Sequence, residues 1–146
     1  MKIFTIGFTQ KNAKDFFDLI KQNNIDLLID IRLNNISQLA GFAKGKDLEY
    51  FLKEICNCEY IHDDLFAPTK QLLDDYRAKK VSWDMYEEEF SKIIKTRNLV
   101  DRFKKLYTKT EKVCLLCTEP TAQQCHRRLV AEYLKDNMEG VEIIHI

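Results

Sequence analysis

Lys112-Val113-Cys114-Leu115-Leu116-Cys117-Thr118-Glu119-Pro120-Thr121-Ala122-Gln123-Gln124-Cys125-His126-Arg127-Arg128 changes character twice. Val113 to Cys117 is an unbroken apolar run, as in a strand covered on both faces. Thr118 to Pro120 is a polar turn. Thr121-Ala122-Gln123-Gln124 has the spacing of a capping box, with Thr as N-cap and Gln at N3. The spacing predicts a helix over 124–137, with Leu129, Val130, Tyr133 and Leu134 on one face. A buried strand feeding a helix is the elementary step of a parallel α/β sheet.

Working outward, the same alternation recurs. Lys2 to Gly7 reads as a strand, and Thr9 to Asn24 as a helix with Asn12 as N-cap and Phe16, Phe17, Leu19 and Ile20 as its core stripe. Ile25 to Arg32 is a second buried strand; Lys46 to Cys56 is a helix; Glu59 to His62 is a third strand. Pro68 breaks the chain before helices opening at Thr69, Ser82 and Asn98, and Val141 to Ile146 is the last strand. The expected fold is α/β: a single-domain, Rossmann-like sheet of about five mostly parallel strands over residues 1–146. Right-handed crossovers put helices on both faces. A helical insertion, about residues 69–110, separates strands 3 and 4 and is expected to pack over one edge.

The length suits one core, and Lys plus Arg balances Asp plus Glu at 23 each, so net charge selects no partner class. Five cysteines, an odd number without a secretory pattern, argue for free thiols rather than a disulfide framework. No apolar run reaches the length of a membrane span and no signal pattern opens the sequence, so a cytoplasmic location without a membrane partner is expected. Between Lys92 and Lys112, eight Lys or Arg face only Asp101 and Glu111. That stretch keeps nucleic acid open as a partner beside a small anionic ligand.

Ligands of open α/β sheets bind beyond the carboxyl ends of the strands. Gly7, Asp30, Arg32, His62, Cys117 and Glu119 all fall at or past such ends, and Cys125, His126 and Arg127 fall at a helix start. A thiol in the first helical turn, near Arg, is favoured as thiolate, so Cys125 or Cys117 is the expected reactive group. Glu119 and His62 are the candidate proton shuttles. Arg32, oriented by Asp30, together with His126, Arg127 and Gly7, is the expected anion-binding set. No Gly-rich phosphate loop is present, and a Cys-x5-Arg loop fails because Gln123 stands at the Arg place. No cofactor is called for.

A metal is weighed through Cys117, Cys125, His126 and His62. C-x7-C-H is no recognised zinc spacing, and adjacent Cys and His on a helix diverge by about 100°, so no metal ligand is assigned. Three functions remain: an enzyme on a small phosphorylated or nucleotide-like ligand, a non-catalytic nucleotide- or nucleic-acid-binding module, and a metal-dependent hydrolase.

Thr5-Ile6-Gly7, Asp30-Ile31-Arg32, Ser37, Phe42, Tyr60-Ile61-His62, Cys117-Thr118-Glu119 and Cys125-His126-Arg127 together resemble the domain of unknown function 488 family. Many of its members carry Leu-Gly-Gly after the third strand, where this chain has Leu65-Phe66-Ala67-Pro68. The resemblance implies a compact α/β domain with these polar residues gathered at one end, and implies no particular reaction.

Overall fold

The computed structural model describes residues 1–36 and 40–146; Ser37, part of the family-like pattern, lies outside the described residues. Five parallel strands form one sheet: β1 (Lys2–Gly7), β2 (Leu27–Asp30), β3 (Glu59–His62), β4 (Lys112–Cys117) and β5 (Glu142–His145), in the order β3-β2-β4-β1-β5. Six α-helices lie among the described residues: α1 (Ala13–Gln22), α2 (Gly45–Cys56), α3 (Lys70–Arg77), α4 (Trp83–Thr96), α5 (Leu99–Tyr107) and α6 (His126–Asn137). The continuously apolar β4 is the central strand, paired with β1 on one side and β2 on the other.

Period-two alternation splits the core into two layers. Cys114 and Leu116 of β4 join Phe4, Ile6, Leu28, Phe16 and Leu52 under α1 and α2. Val113 and Leu115 join Ile3, Ile29, Phe90, Phe103 and Leu134 under α4 to α6. The inserted helices therefore cover a face together with α6, where the sequence suggested an edge. Tyr86, Phe90, Ile94, Leu99 and Phe103 are too large and apolar to leave that face bare.

This strand order fixes where a cleft can open. The connections leaving β1 and β2 run to α1 and α2, and those leaving β3 and β4 run to α3 and α6 on the opposite face. Central β4 thus lies between two strands whose exits depart the other way, which splays the loops at its carboxyl end.

Three local signals held. Asn12 Oδ1 accepts from the Asp15 backbone N–H at 2.8 Å, Thr69 Oγ1 from Leu72 at 3.2 Å, and Ser82 Oγ from Met85 at 3.2 Å. The capping box at Thr121 does not form: α6 begins at His126, and Cys125, extended at φ −139°, ψ 137°, is its N-cap with no side-chain cap bond. Tertiary bonds hold the preceding loop out of the helix. Thr9 donates to the Thr118 carbonyl from its N–H at 3.3 Å and its hydroxyl at 2.7 Å, and Arg127 Nη1 donates to the Glu119 carbonyl at 2.5 Å.

Candidate functional site

β2 ends at Asp30, and the next two residues turn to opposite uses. The Asp30 carboxylate, fully buried, takes Arg32 Nε at 2.8 Å and Nη2 at 2.6 Å, and the Tyr60 hydroxyl at 2.7 Å. Arg32 Nη2 also donates to the Ala43 carbonyl at 2.7 Å, and the guanidinium lies over the Phe8 ring at 5.1 Å. Burial opposes the Arg32 charge, but Asp30 outweighs it and holds the guanidinium above its ordinary pKa. Burial, then the neighbouring Asp30 charge, pushes Tyr60 up, so its hydroxyl stays a donor. One atom of this network is left over: among the described residues, Arg32 Nη1 is buried with no partner.

The Ile31 carbonyl points the other way and meets His126 Nε2 at 2.9 Å. A carbonyl only accepts, so Nε2 carries the proton, and Cys117 Sγ lies beside the ring, 3.4 Å from Nδ1 and 3.8 Å from Nε2. Phe90 holds the imidazole edge-on, with centroids 5.7 Å apart. Cys117, at the end of β4, and Cys125, at the helix N-cap, complete a buried cluster in which two sulfurs and an imidazole nitrogen all lie within 4.8 Å of one another.

The two thiols are not equivalent. Burial alone would raise Cys117, yet the facing Cys125 thiol, the backbone N–H of Thr118 and the charge of Arg127 bring it below the ordinary thiol value. Cys125 moves well above that value, first through its hydrogen bond to Cys117 and then through burial. The expected favouring of a Cys125 thiolate by the helix start is not met, because Cys125 is the extended N-cap and faces Cys117. Cys114, turned to the opposite face and buried, is raised by burial and is core.

Both halves border one cleft of about 900 Å³, whose lining includes Arg32, Cys117, Glu119, Cys125 and His126. The volume falls in the range of small-molecule sites, roughly 300–1,000 Å³. Opposite the cluster, α3 and α4 supply an aromatic wall: Trp83 lies 5.8 Å from Tyr76 and is stacked on Tyr86 at 5.1 Å and 20°. Tyr86 is helix core as well as cleft wall, and the sequence reading overlooked Tyr76 and Trp83 as cleft residues. The i, i+3 spacing of Trp83, the chain's only tryptophan, onto Tyr86 was the available signal; nothing local tied Tyr76 to them.

Three expected site residues stand elsewhere. His62 is exposed at the end of β3, with Nε2 2.7 Å from the Arg32 carbonyl, outside the cleft lining. Arg127 is buried and turns under the loop: besides the Glu119 carbonyl it reaches Thr5 Oγ1 at 3.4 Å and Cys125 Sγ at 3.5 Å. It braces the site without lining it, and no carboxylate pairs with it among the described residues. Gly7 serves packing: a Cβ there would sit 1.7 Å from the Glu119 carbonyl oxygen and 2.9 Å from Arg127 Nη1. The objection to a metal also falls, because Cys125 is extended rather than helical and the 100° divergence from His126 does not apply.

Part of the basic stretch is occupied in internal contacts. Arg97 donates to the Leu65 and Ala67 carbonyls, Arg102 to Asp63, and Lys112 to the Asn23 carbonyl. No helix of the described residues is long and apolar enough to cross a membrane.

No curated protein and no solved structure matches the chain. A family model does, described as domain of unknown function DUF488, over residues 12–134. With most of its length matched, and with the D-I-R and C-x-E…C-H-R elements meeting at one cleft, this chain belongs to the DUF488 family.

Proposed function

We propose that the cleft is the substrate site of an enzyme acting on a small phosphorylated or nucleotide-like ligand. The observation that carries this reading is Arg32. Two bonds to Asp30 and one to Ala43 fix its guanidinium, and among the described residues Nη1 is left as a buried donor without an acceptor. Leaving such a donor unpaired costs about 1–3 kcal/mol, and a ligand's anionic oxygen would recover it. The wall of Tyr76, Trp83 and Tyr86 suits a planar ring, since base–aromatic stacking contributes about 1–3 kcal/mol per base. Arg77 adds positive charge along the same cleft, where Lys70 is paired with Asp74.

The reactive end of the ligand would meet Cys117, Cys125 and His126, with Glu119 as the carboxylate able to move a proton. Asp30 is a positioning residue acting through Arg32.

Thermal-shift and calorimetric titration with inorganic phosphate, nucleoside monophosphates and nucleoside diphosphates tests the reading. A nucleotide should stabilise the protein more than phosphate does. Arg32→Lys, which loses the fork, should weaken binding about tenfold or more. Trp83→Leu, remote from the buried ion pair, is the second variant should Arg32→Lys fail to fold. A panel in which no anion shifts the melting temperature would remove the proposal. Binding without turnover would instead mark a non-catalytic nucleotide-binding module.

A further inference from the structure

We infer that Cys117, Cys125 and His126 form a three-ligand zinc site whose fourth position opens into the cleft. The geometry is close to what the ion needs. Zn–S bonds of about 2.3 Å and Zn–N bonds of about 2.0–2.1 Å, arranged tetrahedrally, set ligand atoms roughly 3.6 Å (S to N) and 3.8 Å (S to S) apart. Cys117 Sγ and His126 Nδ1 are 3.4 Å apart, and all three candidate atoms lie within 4.8 Å of one another. Small side-chain rotations would close the remaining distance.

Imidazole orientation is the second observation. A ligating histidine usually donates its other ring N–H to a carbonyl or carboxylate, which fixes the tautomer and turns the free lone pair on the metal. His126 meets the tautomer half of that requirement through Ile31; Cys117 Sγ lies beside the ring, 3.4 Å from Nδ1 and 3.8 Å from Nε2, so the imidazole must turn to present Nδ1 to an ion. The extended N-cap at Cys125 lets consecutive residues aim at one point, which two helical neighbours could not do. Thiolate and imidazole donors favour zinc over magnesium or calcium.

Charge adds a third line. Two thiolates balance one Zn²⁺, while Arg127 stays buried beside Cys125 Sγ with no carboxylate partner among the described residues. That surplus positive charge favours an anion at the fourth position, either hydroxide or a ligand oxygen. No further His, Cys, Asp or Glu joins the group among the described residues, and all three ligands border the cleft. Three protein ligands with an open position is the pattern of reactive rather than structural zinc. The metal site stands independently of the substrate reading; only the use of its open position rests on that reading.

The reduced full-length chain, stripped with chelator, is titrated with Co²⁺ as a spectroscopic stand-in and then with Zn²⁺. Expected are one Co²⁺ per chain, strong visible bands of tetrahedral coordination and sulfur-to-cobalt charge transfer, all displaced by Zn²⁺. Each ligating thiol gives up its proton, so binding should release acid at neutral pH. Cys117→Ser and Cys125→Ser should each lose the charge-transfer intensity that Cys56→Ser retains. Should the site variants fail to fold, X-ray absorption on the zinc-loaded wild-type chain reads the ligand set directly, with two sulfurs expected. Weak, octahedral Co²⁺ spectra, or zinc bound without sulfur, would overturn the assignment. Nucleotide titration of the metal-free chain is scored separately, so neither failure can be mistaken for the other.

Discussion

The rim of the sheet carries two polar centres that differ in kind. Around Asp30, charge is paired, the hydrogen bonds are short, and among the described residues one buried polar atom, Arg32 Nη1, lacks a partner. Around Cys117, the contacts are few and long, two thiols share one imidazole, and Arg127, beside Cys125, has no acidic partner among the described residues. The first centre is tightly paired, with one buried donor left over among the described residues. The second is loosely satisfied and rich in groups that react or coordinate. They meet through one residue, Ile31, whose side chain belongs to the core while its carbonyl holds His126.

If that contrast is right, removing the Asp30 charge should produce the largest effect. Asp30→Asn leaves Arg32 buried without a counter-ion, and breaking a buried pair from one side costs about 3–5 kcal/mol. Urea unfolding measures it; a loss under about 1 kcal/mol would show that solvent reaches the network and that the first centre is not the tightly paired one.

Gly7→Ala comes next and strikes the other centre. The new methyl would overlap the Glu119 carbonyl oxygen, so the β4–α6 loop must shift, at a cost on the order of 3 kcal/mol. The loop displacement should also abolish Co²⁺ charge transfer while the Asp30 network keeps its bonds. Unchanged stability and unchanged metal binding together would show that the loop rests elsewhere.

Zinc itself separates the centres more gently. At a free concentration a hundredfold above Kd it should add about 2.7 kcal/mol to wild type, a rise of roughly 5–10 °C in Tm for a chain of this size. The chelated protein should lose all of that gain, and Cys117→Ser should never show it. An equal gain in Cys117→Ser would place the ion away from the cluster. Smaller again, Trp83→Leu should leave the metal spectrum intact and weaken nucleotide binding by about 1 kcal/mol, the scale of one aromatic contact. Loss of metal binding in that variant would mean the wall and the cluster are one structure.

What could be read from the sequence was what local chemistry decides. The caps at Asn12, Thr69 and Ser82 need only a hydroxyl or amide two or three residues from an unpaired N–H, and all three formed. The capping box at Thr121 had the same credentials and lost, because Arg127 and Thr9 hold that loop from a distance. Which residues share the cleft depended on strand order, and nothing local says that β4 inserts between β1 and β2. Side-chain direction was equally hidden. His126 and Arg127 are neighbours in sequence, yet one lines the cleft and the other turns under it to Thr5. The two thiols were left unranked for the same reason: spacing located both and could not say which is the more acidic.

The finest test of the contrast is a pH dependence reaching the thiol cluster from the sheet edge. Thr5 Oγ1 lies 2.7 Å from His145 Nδ1 and 3.4 Å from Arg127 Nε. Arg127 can only donate, so the Thr5 hydroxyl accepts from it and is free to donate to a neutral His145. Burial first, then the charge of Arg127, lowers the His145 pKa below 6.5 in the folded protein. A histidine depressed on folding binds fewer protons folded than unfolded, so stability rises with pH across its titration. The contribution is complete above about pH 6.5, the unfolded value, and is lost as pH falls toward the folded value. Because His145 is mostly solvated, this should be the smallest of the effects. Urea midpoints of wild type and His145→Gln, compared near pH 8 and near pH 5, isolate it: the wild-type midpoint should fall further on acidification than that of the variant. Parallel falls would mean that the Thr5 link to Arg127 carries no proton-dependent energy, leaving the second centre isolated from the edge of the sheet.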